Sequence, residues 1–373
     1  MVTGRKRLVF VIPTLGGGGA EKAVLTLAGH LGRLGHDIHI VLLADRIEYT
    51  LEEEYSVHIV TESGKITHQK MVDCWLLGAK LRKVMGRIRR ECGSIDAVFS
   101  NLCDADRIVS IAGLARCIYV MQNTLSMELA TMNWGMGKIR RRHKRYWRIY
   151  NGKRLIAVSE GVAKDLVRQD YSCVEDVMTI YNGFDIAFIR RMADQSCEQI
   201  PKERYIIYVG RVSTQKRIDV LLSAFAMLST PCKLVMLTKP TEKLYELMRG
   251  YAVEDKVILP GFQNNPYCWM KQARLLVLSS DYEGIPSVVV EALICGTPVV
   301  STDCPSGPNE ILTGELARWL VPPGNSDLLA RKIDEALQSE IDLGSFDAGC
   351  FDVEAVAQEY LKTIDYYFGN QEA

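Results

Sequence analysis

Short apolar runs rich in Val and Ile alternate with longer helical patterns along the whole chain, and no other feature constrains the fold as strongly. Such runs are typical of parallel strands, which helices cover on both faces of the sheet. The sequence therefore predicts an α/β protein with parallel sheets. The predicted strands are Leu8–Ile12, His39–Leu43, Ala97–Ser100, Ile118–Met121, Leu155–Val158, Met178–Ile180, Tyr205–Val209, Leu234–Leu237, Val257–Leu259, Leu275–Leu278 and Val299–Ser301.

The chain of 373 residues is long enough for two domains. The polar stretch 187–204 separates the two sets of strands, and we place the domain boundary there. The predicted N-terminal domain is 1–190, joined by a C-terminal helix at 352–372, and the predicted second domain is 200–350. Each would contain one doubly wound sheet.

The composition excludes several protein classes. An apolar content of 48 % argues against disorder. Eleven cysteines without a C-x-x-C pair favour reduced thiols in the cytosol over a disulfide or zinc framework. The first apolar run ends at Pro13 and is better interpreted as a buried strand than as a signal peptide. Because no stretch approaches the roughly 20 apolar residues of a membrane span, any membrane contact should be peripheral.

Two loops that follow predicted strands carry groups suited to anions. The stretch TLGGGGAEKA, 14–23, opens a helix, and its glycines let backbone N–H groups approach a phosphate or sugar. A dinucleotide fingerprint fails because Glu21 stands at the third glycine position; a plain tight turn remains the alternative. In YIIYVGRVSTQK, Arg211 and Lys216 form a predicted pyrophosphate site, with a solvated basic turn as the alternative.

Two glutamates, Glu283 and Glu291, occur in DYEGIPSVVVEALICG, 281–296. Glu283 lies on a loop after a strand, whereas Glu291 lies on a helix that is apolar nearly all round and should be buried. A buried carboxylate needs hydrogen-bond donors, and a vicinal diol supplies two. A structural salt bridge is the alternative for Glu291.

These motifs together resemble the retaining glycosyltransferases of family 4, which have the GT-B fold of two doubly wound Rossmann-like domains facing a central cleft. The resemblance rests on the Glu283-to-Glu291 frame with GTPVVSTD after it, and on GGGGAEKA, AVSEGVAKDL, TIYNGFD, GRVSTQK and LPGF in the family's order. CPSGPNEIL is similar to members that build lipopolysaccharides, capsules and polyprenyl-linked oligosaccharides.

The resemblance implies a role for each matching residue. Glu291 would hold the ribose of the donor nucleotide, and Glu283 the hydroxyls of the transferred sugar. Arg211 and Lys216 would neutralise the diphosphate, so that the catalytic set is Arg211, Lys216 and Glu283. Further donor contacts are implied for the main chain near Phe262, for Gly284, Ile285, Pro286 and Ser287, and for Gly17, Gly18 and Gly19 of the first domain.

One position departs from the family pattern. Members usually carry a histidine after the fourth strand of the first domain, where this chain has Asn123. An amide can donate a hydrogen bond to a sugar or phosphate, but it cannot act as a base. Asn123 is therefore predicted on the acceptor side without an acid–base role.

Two further patterns have competing explanations. Asp104-Ala105-Asp106 is interpreted as the capped and charged start of a helix rather than a metal site, and no metal or cofactor is predicted. The run KIRRRHKRYWRIYNGKR, 138–154, has nine basic residues and no acidic one. We assign it, with Arg141 and Lys144, to a lipid-linked acceptor or an anionic membrane surface; a solvated helix and nucleic acid are the alternatives, and no nucleic-acid motif accompanies it.

The sequence as a whole predicts a metal-independent retaining transferase. It would move a sugar from a nucleotide-sugar, favoured as a UDP-sugar, to an envelope glycan or lipid-linked oligosaccharide at the cytoplasmic face of the membrane. The alternatives are a transferase with a small soluble acceptor, a nucleotide-sugar epimerase on a similar fold and a non-catalytic binding module.

Overall fold

The computed structural model describes residues 4–64, 71–131, 135–171 and 176–369. It divides the chain into two units: residues up to Phe184 together with those from Cys350 onward, and Asp185–Gly349. Each unit is built around one parallel sheet. The predicted pair of doubly wound α/β domains is thereby confirmed.

The first unit has a seven-stranded sheet in the order β3-β2-β1-β4-β5-β6-β7. Its strands are β1 (Arg7–Ile12), β2 (Asp37–Leu42), β3 (Ser56–Ile59), β4 (Ala97–Asn101), β5 (Cys117–Met121), β6 (Arg154–Ala157) and β7 (Val177–Thr179). Its helices are α1 (Gly19–Arg33), α2 (Met71–Cys92), α3 (Cys103–Ala112), α4 (Leu125–Thr131), α5 (Met136–Tyr150), α6 (Glu160–Arg168) and the C-terminal α14 (Val353–Phe368).

The second unit has a six-stranded sheet in the order β10-β9-β8-β11-β12-β13. Its strands are β8 (Tyr205–Val209), β9 (Lys233–Leu237), β10 (Val257–Ile258), β11 (Leu275–Leu278), β12 (Val299–Thr302) and β13 (Leu320–Val321). Its helices are α7 (Ile186–Ala193), α8 (Ile218–Ala226), α9 (Glu242–Tyr251), α10 (Tyr267–Gln272), α11 (Ser287–Ile294), α12 (Pro308–Ile311) and α13 (Ser326–Gln338).

The strand order reverses once in each sheet, between β1 and β4 and between β8 and β11. Open α/β sheets bind ligands outside the carboxyl ends of the strands at such a reversal, because the connecting loops there turn to opposite faces and leave a crevice. The loops after β1, β8 and β11 contain the glycine-rich stretch, Arg211 with Lys216, and Glu283.

The structure departs from the sequence prediction at the sheet edges and in the predicted linker. Strands β3 and β13 were not predicted, because the first is half exposed and the second has two residues. The predicted linker 187–204 contains most of α7, whose Asp185 side chain caps its start by accepting from the Phe188 N–H at 2.8 Å. The last residues of the predicted 352–372 helix lie outside the described residues.

Helix α14 belongs to the first unit although it follows the whole second unit in sequence. The Val353 N–H donates to the Phe184 carbonyl and the Phe184 N–H to the Phe351 carbonyl, at 3.0 and 2.8 Å. The Tyr360 ring lies 5.0 Å from the Phe99 ring of β4. These contacts close the chain back onto the first sheet.

A buried carboxyl group joins α3 and α5 to that sheet. Asp106 is fully buried and accepts from the Ser100 and Tyr150 hydroxyls at 2.5 and 2.8 Å. Burial raises the pKa of Asp106 to about 8, against the opposing effect of these hydrogen bonds. The D-x-D interpretation is therefore corrected in part: Asp104 and Asp106 lie in the first turn of α3, but α3 has no side-chain cap and Asp106 faces the core.

The raised pKa of Asp106 predicts a stability that falls as pH rises. The folded protein holds a proton on this carboxyl that the unfolded chain releases near pH 4, so the free energy of unfolding should drop between about pH 4 and pH 8, by on the order of 1 kcal/mol per pH unit at most. Asp106→Asn mimics the protonated group and should flatten this dependence. Urea unfolding at pH 5.5, 7 and 8.5 measures both slopes, and equal slopes would contradict the assignment.

Candidate functional site

The loops after β8 and β11 meet at the reversal of strand order in the second sheet. The Gln215 amide donates to the Tyr282 carbonyl at 2.8 Å, and the Asp281 N–H donates to the Gln215 carbonyl at 2.9 Å. The Ser279 hydroxyl donates to the Lys216 carbonyl at 2.8 Å. Main-chain and side-chain bonds therefore hold the two loops in one arrangement before any ligand binds.

An ion pair lies where these loops meet. The Lys216 Nζ is 2.6 Å from Glu283 Oε1, and the Ser280 hydroxyl donates to the same oxygen at 2.6 Å. Glu283 is only 6 % exposed, whereas the Lys216 side chain is 20 % exposed. Because an ammonium has three N–H donors, Lys216 can bind Glu283 and an anion together. The structure thus brings together two of the three residues predicted as catalytic.

Arg217 forms further ion pairs, one of which joins the same two loops. Arg217 donates to Asp281 at 3.0 Å and to Asp219 at 2.9 Å, and it has a left-handed backbone with φ +46°. The hydrogen bond from Arg217 lowers the pKa of Asp219. Sequence reasoning missed Ser280, Gln215 and Arg217, although each stands within three residues of a predicted site residue.

Arg211 and Phe262 are the more exposed members of the predicted donor set. The Arg211 carbonyl accepts from the Tyr208 hydroxyl at 3.0 Å, and its side chain is exposed. Burial, followed by the charge of Glu283, raises the pKa of Tyr208, so this hydroxyl stays protonated and can donate. Phe262 is 65 % exposed on the loop after β10. The structure therefore leaves both side chains accessible at the sheet's carboxyl edge.

Glu291 is buried on α11, as its apolar helix predicts, with 4 % exposure. The Tyr267 hydroxyl of α10 lies 3.4 Å from Glu291 Oε1. Glu283 and Glu291 thus have different partners, one in an ion pair and one beside a hydroxyl. A carboxylate with such surroundings is suited to accept hydrogen bonds from hydroxyl groups.

The start of α11 is shaped by a tightly packed neighbouring loop. Gly284, Ile285 and Pro286 are buried, and α11 begins at Ser287 without a side-chain cap. Gly307 has φ +95°, and a Cβ there would lie 2.5 Å from Pro286 Cδ and 2.8 Å from the Gly284 carbonyl. The CPSGP loop can approach the E-G-I-P turn this closely only because it has glycine at this point.

In the first unit, the glycine-rich loop turns at the reversal between β1 and β4. Gly17 has φ +85°, Gly18 precedes the first turn of α1, and Gly19 begins the helix. The Tyr49 hydroxyl donates to the Gly18 carbonyl at 2.8 Å. The loop is a tight turn that also directs the N–H groups of a 15-residue helix toward the carboxyl edge, so both interpretations of the sequence fit its geometry.

Three side-chain amides lie at the same edge. Asn182 donates to Gln122 at 3.1 Å, and Gln122 donates to Asn101 at 3.4 Å. They border a small cavity lined also by Phe10, Val24 and Tyr360. Sequence analysis did not identify this chain of amides because its members come from the end of β4 and from the separate loops after β5 and β7.

The predicted acceptor-side residues lie on different elements of the first unit. Asn123 follows β5, and its side chain accepts from the Thr124 N–H at 3.0 Å. Arg141 and Lys144 are exposed on α5, whose buried face is formed by Tyr146, Ile149 and Tyr150. The basic run is therefore an amphipathic helix with its cations outward. None of the helices in the described part of the chain is long and apolar enough to cross a membrane.

The fold and these sites define a class of protein. Two Rossmann-like domains, each with polar or basic loops at its strand-order reversal, are the architecture of the GT-B glycosyltransferases. Residues 17–188 match the model of Glycosyltransferase Family 4, and residues 192–347 match that of Glycosyl transferases group 1. The chain belongs to glycosyltransferase family 4.

Individual proteins agree with this placement. The chain is 26 % identical over 343 residues to N-acetylgalactosamine-N,N'-diacetylbacillosaminyl-diphospho-undecaprenol 4-alpha-N-acetylgalactosaminyltransferase of Campylobacter jejuni, which covers 90 % of this chain and 91 % of that protein. It is 26 % identical over 194 residues to lipopolysaccharide 1,6-galactosyltransferase of Salmonella typhimurium, and this match covers 50 % of the chain and 53 % of that protein. The structure of Anabaena HepE in complex with UDP and glucose matches with a TM-score of 0.75 at 19 % identity. The match covers 97 % of this chain and 100 % of HepE.

Proposed function

We propose that this glycosyltransferase moves a sugar, with retention of configuration, from a UDP-sugar to a cell-envelope glycan or a lipid-linked oligosaccharide. The observation that carries the proposal is the Lys216–Glu283 ion pair at the strand-order reversal of the second sheet. The names of the Campylobacter and Salmonella relatives support the acceptor class, and the HepE complex supports UDP.

Lys216 and Arg211 would bind the diphosphate of the donor. Breaking the anomeric bond leaves negative charge on the diphosphate, and cations already in place stabilise that charge. Backbone N–H groups at the start of α11, and those of Gly17, Gly18 and Gly19, would add donors at anionic oxygens. With two cations opposite the diphosphate, we propose that no metal or other cofactor takes part in the reaction.

Glu283 would bind hydroxyls of the transferred sugar. One carboxylate oxygen already accepts from Lys216 and Ser280. This arrangement couples the sugar contact to the diphosphate contact through one ion pair. The acceptor hydroxyl would attack from the side of the leaving group, with its proton passing to a diphosphate oxygen, because Asn123 cannot serve as a base.

A transfer assay tests the function directly. The protein is incubated with a panel of UDP-, GDP- and ADP-sugars and with lipid-linked, core-oligosaccharide and small soluble acceptors, and the anomeric configuration of the product is read by NMR. Transfer from a UDP-sugar to a glycan acceptor with retained configuration is the expected result. Transfer only to a small alcohol, inversion, or epimerised donor without transfer would each replace the proposal.

Replacing Lys216 tests the leaving-group role. Lys216→Ala should lower kcat by about 100-fold or more and also weaken UDP binding, because the lost cation acts most strongly in the transition state. Lys256→Ala is the matched control, since Lys256 is an exposed lysine just before β10, at the amino edge of the same sheet. Steady-state kinetics with varied donor separates kcat from KM. An unchanged kcat in Lys216→Ala would exclude the role.

Replacing Glu291 tests the ribose contact. Glu291→Ala should weaken UDP binding by about 10- to 100-fold, the range expected for a hydrogen bond to a charged group. Because that loss should come from the ribose, the variant should bind UDP and 2′-deoxy-UDP nearly equally, whereas the unmodified protein prefers UDP. Calorimetry measures all four affinities, with Glu315→Ala as an exposed control. A preference for UDP that persists in Glu291→Ala would rule out contact with the 2′-hydroxyl.

We further propose that the exposed cations of α5 bind an anionic lipid surface or a pyrophosphate-linked acceptor. Arg140, Arg141, Lys144, Arg145 and Arg148 are exposed on one helix with Trp147, which is 45 % exposed. Juxtaposed basic side chains contribute about 1 kcal/mol each at an anionic membrane. This pattern would place the protein at the cytoplasmic face of the membrane.

Liposome sedimentation tests this surface. Binding to vesicles with about 30 mol % anionic lipid should fall by about 10-fold or more in the double variant Arg141→Glu, Lys144→Glu. Binding of the unmodified protein should weaken as salt is added. The control is Arg89→Glu with Arg90→Glu, which reverses two exposed cations on α2. Equal loss in both variants, or equal binding to neutral vesicles, would contradict a specific role for α5.

A further inference from the structure

A cluster of metal-binding residue types lies in the first unit, away from the glycine-rich loop and the amides. Asp37 begins β2, His39 follows two residues later on the same face of the sheet, and Cys92 ends α2. One ligand atom from each of these residues lies within 4.8 Å of the other two. Because β2 begins at Asp37, the cluster is at the amino edge of the sheet, opposite the carboxyl edge where the proposed substrate contacts lie.

The imidazole of His39 has one nitrogen close to a histidine and the other facing a carboxylate at a long distance. His39 is 3 % exposed, and its Nδ1 lies 3.0 Å from the Nε2 of His58. Its Nε2 is buried without a hydrogen-bond partner among the residues that the structure describes, with Asp37 Oδ1 the nearby carboxylate oxygen at 3.5 Å. A buried polar atom without a partner destabilises a fold, so this nitrogen points to a ligand.

Asp37 has the same division between its two oxygens. Its Oδ2 accepts from the Arg7 Nε at 2.6 Å, while its Oδ1 faces His39. Metal-binding histidines and carboxylates in proteins are oriented in this way, with an outer partner on the atom that does not bind the metal. His58 and Arg7 are thus placed as outer partners for His39 and Asp37.

The donor set indicates the metal. Imidazole nitrogen, thiolate sulfur and carboxylate oxygen together are typical ligands of Zn²⁺, at bond lengths of about 2.0–2.3 Å. Two such ligands in tetrahedral geometry are roughly 3.3–3.8 Å apart. The 3.5 Å between His39 Nε2 and Asp37 Oδ1 fits this spacing, and Cys92 needs to approach by no more than about 1–1.5 Å.

We propose that Asp37 Oδ1, His39 Nε2 and Cys92 Sγ bind Zn²⁺, with water as the fourth ligand. The ion would link the start of β2 to the end of α2. Binding converts the Cys92 thiol to a thiolate and releases its proton to solvent, so that affinity rises with pH. The positive charges of Arg7 and Arg87 oppose the cation, and the carboxylate and the thiolate offset them.

One rearrangement accompanies binding. Ligation through Nε2 requires His39 to carry its proton on Nδ1 and donate it to His58 Nε2. His58 then carries its own proton on Nδ1, which faces the Arg87 guanidinium at 3.5 Å. Arg87 is exposed and can turn into solvent. Its 3.5 Å contact is long for a hydrogen bond, so little is lost.

Cobalt titration tests the site without reference to activity. Metal-free, reduced protein is titrated with Co²⁺, which replaces Zn²⁺ and gives a near-ultraviolet charge-transfer band only when a thiolate is bound. One equivalent of Co²⁺ should produce the band, and Zn²⁺ should abolish it. Cys92→Ser should remove the band and His39→Gln should weaken binding at least 10-fold. Cys117→Ser, at the start of β5 in the same unit, should leave both unchanged.

A second measurement uses the unsubstituted protein, so that misfolding of a variant cannot decide the result. One equivalent of Zn²⁺ should protect Cys92 from iodoacetamide, as read by peptide mass spectrometry, while other accessible thiols still react. Zn²⁺ at 100 times its dissociation constant should raise Tm by about 5–10 °C. Absence of the charge-transfer band, its persistence in Cys92→Ser, or alkylation of Cys92 at an unchanged rate would each overturn the proposal.

Discussion

The pairing of β8 with β11 is the constraint on which the second unit depends. These strands are separated by more than 60 residues, and their Cα register pairs Leu275 with Ile206. Because parallel strands present their carboxyl ends at one edge, this pairing brings the loop with Lys216 against the loop with Glu283. The ion pair, the Ser280 bond to it and the Gln215 bonds between the loops all follow from that juxtaposition.

Burial makes the ion pair more than a surface contact. A carboxylate that is 6 % exposed must be compensated, and Lys216 with Ser280 provides two donors to one oxygen. Glu291 has a different neighbour, because the Tyr267 hydroxyl of α10 lies 3.4 Å from its Oε1. Two acids eight residues apart therefore have separate environments, which agrees with two separate contacts to a donor rather than a paired catalytic device.

The first unit has different chemistry at its two edges. Its carboxyl edge has glycine turns and amides, groups of the kind that can bind hydroxyls and phosphates through neutral dipoles. Its amino edge has Asp37, His39 and Cys92, whose donor atoms suit a metal ion. The same separation explains why a bound ion there would act on the stability of the unit and not on the sugar.

Much of the architecture could be predicted from the sequence. Continuous apolar runs predict buried parallel strands, and the glycine, Arg211, Lys216 and Glu283 motifs predict the loops that carry the site. Prediction failed for β3 and β13, whose half-exposed or two-residue segments have too weak a pattern. It also failed for α7, whose buried positions, Ile189 and Ala193, are too few to distinguish a short helix from a polar linker.

The sequence by itself determined the fold class, the family and the identity of the residues at the strand ends, because these depend on local periodicity and on motifs of fixed spacing. Only the tertiary structure decided which distant residues meet: Ser280 with Glu283 and Lys216, Asp106 with Tyr150, and His39 with His58 and Asp37. The physical reason is that strand order and register set these contacts. Neither is expressed in the spacing of residues along the chain.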